Sequence, residues 1–140
     1  MVGRLVSVKN FELYLDAARQ VISKGLKVIF LIIGEGPLDY DLKSLAKNLA
    51  LEEHVIFTGF RKDIFRLVAM LDLFVLCSKS ETNPIALMEA MASGKPVIAT
   101  RVGGVSELVN HEVDGLLCPP DDADCLADSI VRLLDRKDTA

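Results

Sequence analysis

Short apolar runs alternate with amphipathic segments along the whole chain, and the run from Lys27 to Ile33 fixes what that alternation means. After Lys27 it is unbroken by any polar residue, so as a strand it would be apolar on both faces. Such a strand needs cover on both sides, which is the situation of a central strand in a parallel sheet. Before it, Val2–Val6 is apolar apart from Arg4 and reads as a first strand. Asn10 then caps an expected helix in which Phe11, Leu15, Ala18 and Ile22 repeat at helical spacing and which Gly25 ends. A helix from about Leu38 follows, with Leu42, Leu45 and Leu49 on one stripe. Strand Val55–Thr58, helix Ile64–Leu71, strand Leu73–Cys77 and a helix begun at Pro84 come next, then strand Val97–Thr100 and a short helix over Val105–Val109. Gly115–Cys118 reads as a last strand and Ala123–Leu134 as a closing helix. Six strand–helix units with short connections imply an α/β fold: a doubly wound parallel sheet of about six strands in three layers, α/β/α. Ligands in such sheets bind beyond the carboxyl ends of the strands, near a reversal of strand order.

The bulk properties narrow the function classes. At 140 residues, with 51% hydrophobic and 26% charged residues, the chain reads as one globular domain over residues 1–140. A net charge of −4 with cations spread among acids argues against nucleic acid as a partner, though it permits a local basic pocket. The longest apolar stretch, Val28–Ile33, falls far short of the ~20 residues of a membrane span, so no direct membrane anchor is expected. Cys77, Cys118 and Cys125 are odd in number and lack metal-ligand spacing, which points to reduced thiols and a cytoplasmic protein. His54 and His111 stand far from each other and from the cysteines, so no metal site is expected.

The candidate chemistry lies in the loops that follow the strands. In Glu81-Thr-Asn-Pro-Ile-Ala-Leu-Met-Glu89, Pro84 suits a first helical turn, where its missing N–H has no partner to lose. Glu81 then belongs to the entering loop and Glu89 to the second turn. The pair can grip a hydroxyl-rich ligand or neutralise a cationic transition state; a solvated helix face gives the same spacing. Arg4 and Lys9 near a helix start would make a phosphate clamp; a strand-edge Arg and a solvated Lys is the alternative. Gly34-Glu-Gly36-Pro37 lacks the third glycine of a dinucleotide fingerprint, because Asp39 stands there. A tight turn or a backbone approach to ligand both fit it. Gly59 before Phe60, and Gly103-Gly104, allow either a turn or close approach of a ligand. Cys77 and Ser78 have no histidine near them in sequence, which disfavours a nucleophile.

Taken in order, six segments resemble one family pattern: Gly3-Arg4-Leu5-x3-Lys9, Gly34-x-Gly36-Pro37, Val55-x-Phe57-x-Gly59, Glu81-x7-Glu89 running on to Gly94-x-Pro96-Val97, Gly103-Gly104-x2-Glu107, and Gly115-Leu116-Leu117. The chain is similar to the nucleotide-sugar-binding C-terminal domain of group 1 (family 4) retaining glycosyltransferases, one Rossmann-like half of a GT-B fold. The resemblance implies glycosyl transfer from a nucleoside-diphosphate sugar, with no cofactor and no metal. It implies that Arg4 and Lys9 bind the donor diphosphate and stabilise the leaving group, and that Glu81 meets the sugar and its oxocarbenium-like centre. Glu89 would accept hydrogen bonds from ribose, and Phe60 and Arg61 would contact the base through their backbone. Main-chain groups of Ile85, Ala86 and Leu87 would meet sugar or phosphate, with Gly34, Gly36 and Asn83 also on the substrate side.

Two departures stand out. Thr82-Asn83 replaces the glycine and following apolar or aromatic residue usual after the first glutamate, which alters the wall nearest the sugar. The resemblance is to one half of a two-domain enzyme, so the N-terminal acceptor-binding domain is expected to be missing and the chain to bind donor and to transfer little alone. A non-catalytic nucleotide-sugar-binding module that works through a partner is the competing expectation.

Overall fold

The structure, a computed structural model, describes residues 1–139. Its five strands are β1 (Phe30–Ile33), β2 (Val55–Gly59), β3 (Phe74–Leu76), β4 (Val97–Thr100) and β5 (Leu116–Cys118). Its α-helices are α1 (Phe11–Ser23), α2 (Asp39–Asn48), α3 (Ile64–Met70), α4 (Ile85–Ala92), α5 (Val105–Leu108) and α6 (Ala123–Thr139). All paired strands are parallel: β1 with β2, and β3 with β4 and then β5. This is the expected α/β fold, with one strand fewer.

The missing strand is Val2–Val6, and its loss has a local cause. Met1–Gly3 does run alongside β1: the Ile33 N–H donates to the Met1 carbonyl at 3.0 Å and the Gly3 N–H to the Ile33 carbonyl at 3.0 Å. Only Val2 forms a bridge, parallel to Ile33. The Val6 N–H then donates to the Arg4 carbonyl at 2.8 Å, a three-residue turn that swings the chain off the sheet line and into a 3₁₀ turn at Ser7–Lys9. Val2 shares an apolar cluster with Phe74 and Leu76 of β3, so the N-terminal segment fills the seam between the two hydrogen-bonded ladders. The spatial order is therefore β2, β1, Met1–Gly3, β3, β4, β5. Strand order reverses at the seam, and both Arg4 and the loop after β3 leave the sheet there.

Alternation along the strands sorts the core into two faces. Phe30, Ile32, Val75, Cys77, Ile98 and Leu116 pack with α1, α2 and α6. Ile33, Phe74, Leu76, Val97, Ala99 and Leu117 pack with residues of α3, α4 and α5. β4 is buried at all four positions, as a strand covered on both faces must be. Lys27–Ile29 fall outside β1 because β2 supplies no partner before Val55, and Ile29 is exposed. Asn10 precedes α1 without capping it by its side chain: its φ is +56°, and its amide donates to Asp121 at 2.8 Å. The three cysteines are free thiols. Burial, reinforced by contact with Cys125, pushes the Cys118 thiol up to about 12. Among the described residues no helix is long and apolar enough to cross a membrane.

Candidate functional site

One pocket of about 270 Å³ opens at the carboxyl ends of the strands, across the seam where strand order reverses. Gly3, Arg4 and Lys9 form one wall; Glu81, Asn83 and the start of α4 through Ile85, Ala86 and Leu87 form the other. Seven of the residues singled out in the sequence thus converge on one concavity: Arg4, Lys9, Glu81, Asn83, Ile85, Ala86 and Leu87. A larger pocket of about 400 Å³ lies at the opposite ends of β4 and β5, around Lys95, Glu112 and Leu116, away from all of them.

At the pocket's centre the Lys9 ammonium donates to Glu81 Oε1 at 2.7 Å. The lysine side chain is 27% exposed and the glutamate only 8%, so the charges are half withdrawn from water but matched. Ser78, fully buried at the end of β3, donates its hydroxyl to the same Oε1 at 2.6 Å. Thr100, at the end of β4, donates to the Ser78 carbonyl at 2.6 Å. Arg4 is exposed at the rim, and its side chain forms no hydrogen bond or ion pair among the described residues. It is a free cation beside the pocket.

Three glycines place these walls by letting backbones touch. A Cβ on Gly34 would lie 2.0 Å from the Gly3 carbonyl oxygen, and one on Gly36 would lie 2.7 Å from the Leu5 nitrogen. A Cβ on Gly103 would lie 2.0 Å from the Glu81 carbonyl oxygen, which accepts from the Gly104 N–H at 2.9 Å. The Gly34–Gly36 turn therefore supports the Arg4 segment from behind, and Gly103-Gly104 supports the Glu81 loop. Neither pair lines the pocket.

Pro84 is the cap of α4 and Ile85 its first helical residue, so Glu89 falls in the second turn as the spacing predicts. The Ala86 and Leu87 N–H groups have no backbone acceptor among the described residues, as at any helix start, and both residues line the pocket. Glu89 is exposed on α4 beyond the pocket, with no side-chain partner among the described residues. Phe60, 62% exposed, and Arg61 stand past the end of β2, also outside it. Arg61 makes two hydrogen bonds to Asp63, at 2.8 and 2.6 Å, and these hold the Asp63 carboxyl below the usual carboxylate range. Among the described residues no group of three His, Cys, Asp or Glu side chains could hold a metal ion.

Sequence reasoning missed Ser78 as a member of the site, weighing it only as a nucleophile. A hydroxyl three residues before the glutamate, at a strand end, was the signal available.

Comparison with known proteins extends this geometry. The family described as "Glycosyl transferases group 1" matches residues 1–140. The chain is 35% identical over 136 residues to the N-acetyl-alpha-D-glucosaminyl L-malate synthase of Bacillus anthracis, covering 93% of this chain and 35% of that protein. It is 36% identical over 140 residues to the UDP-Gal:alpha-D-GlcNAc-diphosphoundecaprenol alpha-1,3-galactosyltransferase of Escherichia coli, covering 98% of this chain and 36% of that one. The chain thus spans about a third of the length of these curated relatives. Anabaena Alr3699/HepE, solved with UDP and glucose, superposes with a TM-score of 0.88 at 32% identity, over 98% of this chain and 39% of that one. The C-terminal domain of the Francisella tularensis group 1 family protein LpcC superposes with a TM-score of 0.86 at 28% identity, over 96% of this chain and 73% of that one. The fold and the whole-chain match agree: the chain belongs to the group 1 glycosyltransferases.

Proposed function

We propose that this chain binds a nucleoside-diphosphate sugar in the seam pocket and supplies the donor-binding part of a retaining, metal-independent glycosyl transfer in the cytoplasm. The observation that carries the reading is the convergence of Arg4, Lys9, Glu81 and the start of α4 on one pocket at the reversal of strand order. The similar Anabaena protein has been solved with UDP-glucose, which supports a donor of this class.

The pocket volume suits the sugar and diphosphate rather than the whole donor. The diphosphate lies between Arg4, Lys9 and the free Ala86 and Leu87 N–H groups. There the two cations and the positive end of α4 stabilise the charge that grows on the leaving diphosphate, work otherwise done by a metal. Glu81 faces the sugar and offsets the positive charge of the oxocarbenium-like centre. Ribose and base extend outward, the ribose to Glu89 and the base to the backbone at Phe60 and Arg61. Acceptor contacts come from another domain, consistent with a chain that spans a third of its relatives, so alone it binds donor and transfers little.

The ribose assignment has its own test. Glu89 is exposed and unpaired, so Glu89→Gln removes ligand contacts without disturbing the fold. Titration should show UDP weakened by about three- to tenfold, because the neutral amide still accepts from ribose but without the charge, with pyrophosphate unchanged. Equal losses for both ligands would place Glu89 elsewhere.

A further inference from the structure

The two oxygens of Glu81 are not equivalent. Oε1 accepts from both Lys9, at 2.7 Å, and Ser78, at 2.6 Å. Oε2 has no partner among the described residues, and no side-chain oxygen or nitrogen there is both buried and unpartnered. Oε2 is therefore open to the pocket that Glu81 lines. Of the two groups that hold Oε1, Lys9 has competing work. Its ammonium carries three donors, and a diphosphate in the pocket draws on them. Ser78 has no such alternative, being fully buried on the sheet side of the carboxylate. Its backbone is pinned by the Thr100 hydroxyl at 2.6 Å, and Thr100 is itself buried in β4.

We infer that Ser78, braced by Thr100, is a positioning residue for Glu81: it holds Oε1 when Lys9 turns to phosphate and so presents Oε2 to the donor sugar. The inference rests on the reading of the pocket as a nucleotide-sugar site. It makes the Ser78 hydroxyl a determinant of how much affinity the sugar adds, not of how tightly the nucleotide is held. A hydroxyl that served only the packing of β3 would affect both alike.

The test compares UDP with UDP-glucose as probes, by calorimetric titration of the whole chain. Wild-type protein should bind UDP-glucose more tightly than UDP. Ser78→Ala should cut that sugar-dependent ratio by about five- to tenfold, while leaving the Kd for UDP within about twofold. Ser78→Thr, which keeps the hydroxyl, should restore most of the ratio. Thr100→Val keeps the shape of its side chain and should act in the same direction by about two- to threefold; it serves as the second variant if Ser78→Ala does not fold. A ratio unchanged in both variants, or a parallel loss of UDP and UDP-glucose affinity, overturns the inference. If wild-type protein binds UDP but gains nothing from glucose, the Glu81–sugar contact and this inference fall together while the diphosphate site stands. If it binds neither, the reading of the pocket as a site for a uridine-diphosphate sugar fails as well.

Discussion

Gly34→Ala is expected to destabilise the fold by about 3–4 kcal/mol, which for a chain of this size lowers Tm by roughly 10 °C. Two costs add. The residue sits at φ +141°, a region that side chains other than glycine's rarely enter. The new Cβ would also lie 2.0 Å from the Gly3 carbonyl oxygen, a backbone atom that cannot rotate away. Relief requires the Met1–Gly3 segment to move off β1, breaking the hydrogen bonds through which Ile33 holds Met1 and Gly3. Gly25→Ala separates the two costs. Gly25 also has positive φ, +86°, but nothing lies within 4 Å of its Cβ position, so only the backbone cost of about 1 kcal/mol remains. Thermal unfolding of the two variants side by side checks this. Equal Tm losses would mean that the N-terminal segment does not lie against Gly34.

The second large effect is on binding. Arg4→Ala is expected to weaken nucleoside-diphosphate affinity by about 1.5–3 kcal/mol, roughly 10- to 150-fold, with Tm unchanged. Arg4 is exposed and has no partner within the described residues, so the folded protein loses nothing when it goes, whereas a bound diphosphate loses a charged, two-pronged donor. Lys9→Ala differs in an instructive way. It also deprives Glu81, 8% exposed, of its counter-cation, so it should cost some stability as well as affinity. Unaltered UDP affinity in Arg4→Ala would remove that residue from the site.

Much of this was legible in the sequence, and the exceptions have physical causes. The fully buried β4 matches Val97–Thr100 to the residue, a short, largely β-branched run bounded by Pro96 and covered on both faces. The turn residues Gly25 and Pro84 set the bounds of α1 and α4 as their backbone preferences dictate. What periodicity could not reveal was which backbones touch. Gly34 and Gly36 read first as a tight turn, with an approach to ligand as the other option; the structure makes them a turn backed against Gly3 and Leu5. Gly103 and Gly104 likewise meet the Glu81 loop, a contact across 22 residues that no local pattern encodes. The strand expected at Val2–Val6 failed because apolar character says nothing about the three-residue turn at Arg4, and that turn delivers the guanidinium to the pocket rim. α6 runs past Leu134 to Thr139, with the helix formers Arg136 and Lys137 among the residues beyond the apolar stripe.

At the site the sequence identified the charges, and the resemblance set them on one donor. Arg4 and Lys9 lie in the segment that leaves the sheet after Met1–Gly3 and Glu81 in the loop after β3, and the reversal of strand order at that seam brings them together. Ser78 reads in the sequence only as a candidate nucleophile, since its contact with Glu81 is a side-chain pairing that no spacing rule announces.

The central claim is that the seam pocket is a metal-independent nucleoside-diphosphate site. Calorimetric titration of the chain with UDP, GDP and ADP, in the presence of a chelator, tests it most directly. One of the three should bind saturably, with that binding lost or weakened at least tenfold in Arg4→Ala. No binding of any of them, or binding that Arg4→Ala leaves intact, would contradict it.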